Sequence, residues 1–212
     1  MVSTRRIGSQ TSATRDAILA AAIQVLQDEG AGALTASNVA KTVGVKAHMV
    51  HYYFRSMEEL VLALVRQHGI LGLKNTARAI ASDEPLRALW EVETAYKWSI
   101  VAMELSTFAL HHEIVGAEMM RYIEDMRALQ ADGIARHFEL NGIECPIPPM
   151  AISIMISAIA RQIQREKEYK VSLGHDDMFA VVNDFLDSLR GGAASAQSPA
   201  TEQKPAKRRA QR

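Results

Sequence analysis

The chain has 212 residues, of which 48% are apolar and 23% charged, and it contains a single cysteine, Cys145. These values are ordinary for a globular chain and exclude wholesale disorder, a collagen and a coiled-coil rod. One cysteine also excludes an internal disulfide framework and a multi-cysteine zinc module. No uncharged apolar run reaches the roughly 18–20 residues of a spanning helix, and the first residues lack the apolar core of a secretion signal. We therefore expect a cytoplasmic protein with no membrane partner.

The formal net charge of +0 is unevenly distributed along the chain. Residues 1–56 carry +3 and residues 191–212 carry +4, which leaves −7 for the middle. Positive ends around an acidic body are typical of a protein whose ends contact a polyanion.

Proline placement predicts an all-α fold. The six prolines leave two long stretches without any, and proline is the residue that interrupts helix interiors. No alternating run of β-branched residues bounded by an Asn-Gly or Asp-Gly turn is present.

The first four helices are predicted from apolar spacing and capping residues. The first covers about 11–29, a short second follows Thr35 as N-cap and stops at Gly44, and a third covers about 45–53. The Ser56–Glu59 pattern matches a capping box, in which serine and glutamate each accept a backbone N–H, and it opens the fourth helix.

The later helices are delimited by proline and glycine. About nine helices are expected in total. The predicted segments are a helical stretch over 86–140 with breaks near 111–113 and at Gly116, a loop over 141–149, helices over 150–169 and 175–190, and a tail without apolar periodicity.

Residues 35–54 have the pattern of a helix-turn-helix, in which two short amphipathic helices meet at a tight turn. Gly44 supplies the unusual backbone of the turn. Val45, Val50 and Phe54 are predicted to face inward. The opposite face offers donor or aromatic side chains, namely Lys46, His48, His51 and Tyr52.

Several short motifs surround this pattern in a specific order and spacing. They are Thr14-Arg15-Asp16 followed by an alanine-rich run, Gly30, Leu34-Thr35, Val39-Ala40, Gly44-Val45, Tyr52-Tyr53-Phe54 and Ser56-Met-Glu-Glu-Leu60. Together they closely resemble the TetR family of bacterial transcriptional regulators. The resemblance implies a helix-turn-helix domain at 11–56 and a ligand-binding and dimerisation domain at 57–190. Charge and composition add a flexible basic arm at 1–10 and a disordered basic tail at 191–212.

The same resemblance implies contacts to a double-stranded DNA operator. Lysine can donate to guanine, alanine can meet a thymine methyl group, and hydroxyls at a helix N-terminus suit a phosphate. For the tyrosines, packing against the first helix is the alternative. The candidate residues are Thr35, Ser37, Lys46, Ala47, His48, His51, Tyr52, Tyr53 and Arg55.

Four positions depart from the usual pattern of the family. Lys46 replaces a serine, His48 a glycine or proline, and His51 a tyrosine; Met57 replaces a phosphate-binding lysine, whose role Arg55 would assume. These departures predict an unusual operator sequence and leave the predicted fold unchanged.

The family implies a small-molecule effector bound among the central helices. Methionine and aromatic groups adapt to an irregular apolar ligand, although the same residues at helical spacing also build ordinary cores. Glu104 and His111 lie seven residues apart on one face and are candidates to orient the ligand, with placement on the surface as the alternative. The candidates are Trp98, Met103, Glu104, Thr107, Phe108, His111, Met119, Tyr122, Ile123 and Met126.

The last two helices are predicted to pair with a second copy of the chain as a four-helix bundle. Their apolar stripes offer more surface than one core needs. The candidate dimer residues are Ile152, Met155, Ile156, Ile159, Ile163, Met178, Val182, Phe185 and Leu186.

These observations predict a dimeric, ligand-responsive repressor that uses no cofactor and no metal. Enzymes are disfavoured because no phosphate-binding loop, nucleophile elbow or metal-ligand spacing is present. Two further alternatives are a helical adaptor that has lost its operator and a regulator without ligand control. The effector, the operator and the direction of control are not given by the residues.

Overall fold

A computed structural model describes residues 13–94, 96–144 and 147–189, and for residues 96–99 it describes the backbone alone. Within these ranges the chain is all-helical, without a strand, as predicted. No helix there is long and apolar enough to cross a membrane. The basic arm, the first two residues of the predicted first helix, Cys145 and the tail lie outside the described residues. The nine helices of the described residues are α1 (Ala13–Glu29), α2 (Ala36–Val43), α3 (Ala47–Tyr53), α4 (Met57–Ile80), α5 (Pro85–Glu93), α6 (Tyr96–Ala109), α7 (Glu113–Asn141), α8 (Pro149–Glu168) and α9 (His175–Ser188), with a 3₁₀ turn (Ala31–Ala33) after α1.

The predicted caps of the helix-turn-helix are present. The Thr35 hydroxyl accepts a hydrogen bond from the backbone N–H of Asn38 at 3.2 Å, which satisfies a free donor of α2. Gly44 has φ of 79° and ends α2 in the left-handed region. The third helix begins at Ala47 and not at residue 45, because Lys46 is extended and forms no side-chain cap.

The capping box of α4 is only half formed. Ser56 accepts from the N–H of Glu59 at 3.1 Å, as predicted. The Glu59 carboxylate, however, accepts from the N–H of Arg55 at 2.9 Å and not from Ser56. The glutamate therefore stabilises the turn that joins α3 to α4.

The helix breaks after α5 differ from the prediction. The break near 111–113 is present, but Gly116 lies inside α7. Glycine is needed there for another reason, since a Cβ would lie 2.9 Å from the carbonyl oxygen of Ala109. An unpredicted break follows Glu93, where the Thr94 hydroxyl donates to the Trp90 carbonyl at 2.8 Å and ends α5.

Two hydrophobic cores organise the helices. The first combines α1 to α4 with the buried residues Val101, Leu105, Val115 and Met119 of α6 and α7. The second combines the end of α4 with α5, α7, α8 and α9. The helix-turn-helix thus shares its core with the central helices, and α4 contributes to both cores.

Glycines allow α4 and α7 to approach closely. A Cβ at Gly72 would lie 2.5 Å from the hydroxyl oxygen of Tyr122, and one at Gly133 would lie 2.5 Å from Ile80. Substitution at either glycine would force side chains apart in a close-packed interior. The long helix that follows the helix-turn-helix is therefore held directly against α7.

Candidate functional site

The helix-turn-helix presents an exposed polar face on a buried base. Val50 and Phe54 are each 1% exposed and anchor α3 to the first core. All of the candidate DNA contacts except Tyr53 have exposed side chains. Those with exposed side chains are Thr35, Ser37, Lys46, Ala47, His48, His51, Tyr52 and Arg55.

The two tyrosines of α3 differ in environment. Tyr52 is 43% exposed, whereas Tyr53 is half-buried and packs against the first core. Their rings meet edge to face at 5.1 Å. Met57, which stands where the family commonly has a lysine, also packs on that core. Arg55, two residues before Met57, is a cation with an exposed side chain.

The predicted effector residue Glu104 is already engaged within the protein. Its carboxylate accepts a hydrogen bond from the backbone N–H of Ala31 at 2.7 Å. The adjoining Gly30 has φ of 80°, and a Cβ there would lie 3.7 Å from the same carboxylate. Glu104 therefore links α6 to the turn that precedes the helix-turn-helix.

The other α6 candidates do not form a common site with Glu104. Phe108 stacks on His112 at 3.9 Å between ring centroids, Thr107 is exposed and Met103 is half-buried. His111 lies in the turn after α6 and is also exposed. Trp98 is one of the residues for which the structure describes the backbone alone.

The candidates on α7 pack against α4. Met119 is buried in the first core, and Tyr122 and Ile123 pack on it. The sulfur of buried Met126 accepts from the hydroxyl of Thr76 at 3.0 Å. Within the described residues these side chains form contacts of the protein core. This agrees with the alternative that methionine and aromatic residues at helical spacing build an ordinary core.

The cavities described in the structure lie away from these candidates. The larger, about 390 Å³, is an open groove between α1 and α4 lined by Arg15, Leu19, Arg66 and Ile70 among others. A smaller one of about 170 Å³ adjoins the start of α5. None of the predicted effector residues lines either cavity.

A buried polar network joins α5, α7 and α8, and sequence reasoning missed it. The amide nitrogen of Gln130 donates to the carboxylate of Glu93 at 2.8 Å, and its amide oxygen accepts from Ser153 at 2.6 Å. The carboxylate can only accept, so this pairing fixes the orientation of the amide. Gln130 lies four residues after Met126 and four residues before Ile134, on the same apolar face of α7. A polar residue inside such an apolar stripe is the sequence signal that could have indicated a buried polar network.

Gln164 on α8 extends this network, and its amide oxygen is an acceptor without a hydrogen bond from the described residues. Its side chain is 1% exposed, and its amide nitrogen donates to the carbonyl oxygen of Thr94. Its amide oxygen is buried and receives no hydrogen bond from the described part of the chain. An unsatisfied buried acceptor costs about 1–3 kcal/mol, so such atoms are uncommon in folded proteins.

Burial shifts the pKa of Tyr122 and of His68 beside this network. Burial raises the pKa of Tyr122 to about 12, with a further contribution from the negative charge of Glu93 and an opposing one from Arg161. Burial also lowers the pKa of His68, whose ring meets the edge of Tyr122 at 5.9 Å. Both groups are therefore uncharged near neutral pH.

The lowered pKa of His68 predicts a loss of stability in mild acid. As pH falls below the ordinary histidine value of 6.5, the unfolded chain binds a proton before the folded chain does. The free energy of unfolding should therefore decrease through this window and level off once pH is below the folded pKa. Urea unfolding at pH 5–7.5 measures the slope, and His68→Phe should reduce it; an equal slope in the variant contradicts the assignment.

The structure divides the predicted dimer residues. Met155 and Met178 are exposed, and Ile159 and Phe185 are half-buried. The others require correction, because the protomer's own second core covers them and helical spacing does not distinguish a core stripe from an interface stripe. These buried residues are Ile152, Ile156, Ile163, Val182 and Leu186.

Comparison with known proteins identifies the N-terminal domain. Residues 18–64, from α1 through the helix-turn-helix into α4, match the bacterial regulatory proteins of the tetR family. Over these residues the chain is similar to the TetR family. A stretch of 52 residues is also 42% identical to the HTH-type transcriptional regulator BetI of Rhizobium meliloti (strain 1021). That match covers 24% of this chain and about a quarter, 26%, of the length of BetI.

Solved structures share the fold over most of this chain. A protein of Saccharomonospora viridis described as a transcriptional regulator, solved with choline, superposes with a TM-score of 0.71 at 17% identity, over 82% of this chain and 95% of its own. The regulator FadR of Bacillus subtilis, solved with stearoyl-CoA, gives a TM-score of 0.60 at 16% identity, over 82% of this chain and 96% of its own. Identities this low show similarity of fold alone.

Proposed function

We propose that the chain is a sequence-specific DNA-binding transcriptional regulator, and that α3 is its recognition helix. The observation that carries this is the turn at Gly44, with Val50 and Phe54 buried beneath α3. His48 and His51 are exposed on α3, and Lys46 is exposed at its N-cap. A helix held rigidly on one side and bearing donors on the other suits the major groove. The match of residues 18–64 to the TetR family supports the same function.

The regulator acts as a homodimer in this proposal. Exposed apolar side chains on α8 and α9 would be covered by a second copy; they are Met150, Ile154, Met155, Met178 and Val181. A two-fold dimer would set its recognition helices about 34–36 Å apart, or a multiple of that spacing, and would therefore bind a pseudo-palindrome.

A small-molecule effector would control DNA binding, with release of a repressor from its operator as the expected direction. Similar folds bind choline in the Saccharomonospora protein and stearoyl-CoA in FadR. An effector shifts the equilibrium between conformations only by its differential affinity for them. The direct link from Glu104 on α6 to Ala31 offers one path from the central helices to the DNA-binding domain.

Selection from a random double-stranded DNA library tests the proposal against the adaptor alternative, which is raised by Lys46 and Met57. A regulator should enrich one pseudo-palindrome; an adaptor should enrich none. On the selected operator, Lys46→Ala should lose about 1–3 kcal/mol of binding free energy and relax base preference at one position of each half-site. Lys74→Ala, which removes an exposed lysine of α4, is the matched control and should bind as the unchanged chain does.

Arg55 should respond differently from Lys46 if it contacts a phosphate. Arg55→Ala should weaken binding to all sequences alike and reduce the slope of log affinity against log salt by about 1. Equal binding of the selected operator by Lys46→Ala and the Lys74→Ala control would reject α3 as the recognition helix. Enrichment of no palindrome would reject sequence-specific DNA binding altogether.

A further inference from the structure

The open groove between α1 and α4, of about 390 Å³, combines an apolar floor with a charged rim. Leu62 and Ala63 of α4 are half-buried on this floor, and Ile70 at its edge is 70% exposed. Apolar side chains that line a groove with a polar rim are typical of a surface that another segment covers.

The carboxylates of this groove have no cation paired with them among the described residues. Asp16 and Glu59 are exposed, and neither belongs to an ion pair of the described part of the chain. The two arginines of the groove are engaged elsewhere. Arg66 pairs with Glu118 at 3.2 Å, and the guanidinium of Arg15 lies over the aromatic ring at the end of α3. The groove is therefore suited to a segment that brings positive charge and an apolar side chain.

The basic arm, residues 1–10, has this composition and lies outside the described residues. It contains two consecutive cations, Arg5 and Arg6, which Ile7 follows, and it contains no acidic residue. Gly8 comes next, and glycine permits the turn that would bring the arm back beside α1. In charge and in apolar character the arm complements the groove.

The arm is also long enough to reach along the groove. On α4 the lining residues extend from Glu59 to Ile70, a stretch of helix that rises about 17 Å. The chain between Ile7 and the start of α1 at Ala13 spans at most about 20 Å when it is extended. Because Asp16, in the first turn of α1, lines the groove, the arm joins the described structure beside it.

We propose that the basic arm docks in the groove between α1 and α4 and is thereby withheld from DNA. Its two arginines pair with Asp16 and Glu59, and Ile7 covers the apolar floor. Exposed ion pairs are weak, so the docking is reversible, and the phosphates of DNA compete for the same arginines. The docking itself is independent of the proposed function, whereas its effect as an autoinhibitory contact rests on it.

Limited tryptic digestion of the full chain tests the docking without DNA. Trypsin cleaves an accessible segment, so the rate of cleavage after Arg6 follows the undocked fraction of the arm. Asp16→Lys should accelerate this cleavage about fivefold, because it removes one ion pair. Asp28→Lys, which changes an exposed aspartate at the other end of α1, is the matched control and should leave the rate unchanged. Equal rates in Asp16→Lys and the unchanged chain would overturn the proposal.

A second variant distinguishes docking from fraying of α1, whose first turn contains Asp16. Ile70→Gln removes an exposed apolar side chain of α4 and should accelerate cleavage after Arg6 about threefold. Ile114→Gln, which changes an exposed isoleucine of α7 outside the groove, is its control and should have no effect. Acceleration by Asp16→Lys but not by Ile70→Gln would indicate fraying and contradict the docking.

Operator titration tests the autoinhibitory effect separately. Ile70→Gln lies outside the candidate DNA contacts and should raise operator affinity about threefold, because the arm no longer has to leave the groove before it binds DNA. Accelerated cleavage with unchanged affinity would reject the autoinhibition and leave the docking. A protected arm in a chain that enriches no palindrome would reject the regulator and leave the docking. An arm that is cleaved equally fast in every variant would mean that the groove is open to a partner protein, and the proposal would be wrong.

Discussion

Replacing Phe54 with alanine is expected to lower the free energy of unfolding by about 3–5 kcal/mol. Phe54 ends α3, is 1% exposed and belongs to the first core, so truncation removes its buried surface and leaves a cavity. It also removes the contact with Arg15, whose guanidinium lies 4.9 Å from the ring centroid. Because α3 has only seven residues and is anchored by Val50 and Phe54, operator binding should fall together with stability.

Tyr52 provides the matched control for this experiment. It lies two residues before Phe54 on the same helix but is exposed, so Tyr52→Ala should change the free energy of unfolding by less than about 1 kcal/mol. We expect Tyr52→Ala to lower the affinity for DNA without lowering the stability of the fold. Urea unfolding and operator titration on both variants separate the two roles. Similar unfolding curves for Phe54→Ala and Tyr52→Ala would contradict the anchoring of α3 described above.

Local features of the fold could be predicted from the sequence because their partners are near in the chain. Thr35 bonds Asn38 and Ser56 bonds Glu59, each three residues on, and Gly44 adopts its left-handed backbone without any distant contact. Turn chemistry and apolar spacing therefore sufficed for most helix limits. The missed break after Glu93 has no proline or glycine to mark it.

The candidate sites were less predictable because their partners are distant. Glu104 bonds Ala31 across 73 residues, Gln130 bonds Glu93 across 37, and Gln164 bonds Thr94 across 70. Helical spacing identifies which side of a helix faces inward but not what it meets there. For the same reason, Glu104 was predicted to bind an effector, and Gln130 and Gln164 were not singled out.

The contact of Glu104 with Ala31 predicts the second large effect. Removing the carboxylate leaves a half-buried backbone N–H without its charged acceptor, and hydrogen bonds to charged groups contribute about 1.5–3 kcal/mol. We expect Glu104→Ala to lower the free energy of unfolding by that amount. Glu104→Gln should lose less, since the amide oxygen still accepts. Glu124→Ala, an exposed glutamate of α7, is the control for removing a surface charge.

Hydrogen exchange at the Ala31 amide distinguishes this link from a general loss of stability. If Glu104 holds the turn after α1, Glu104→Ala should accelerate exchange at Ala31 more than at amides in the middle of α1 or α4. Such a local effect would also weaken the response of operator binding to effector, because α6 would no longer hold the turn that precedes α2. Unchanged exchange at Ala31 with normal stability would mean that the carboxylate is not needed there, and coupling would have to pass through α4 and its close packing on α7.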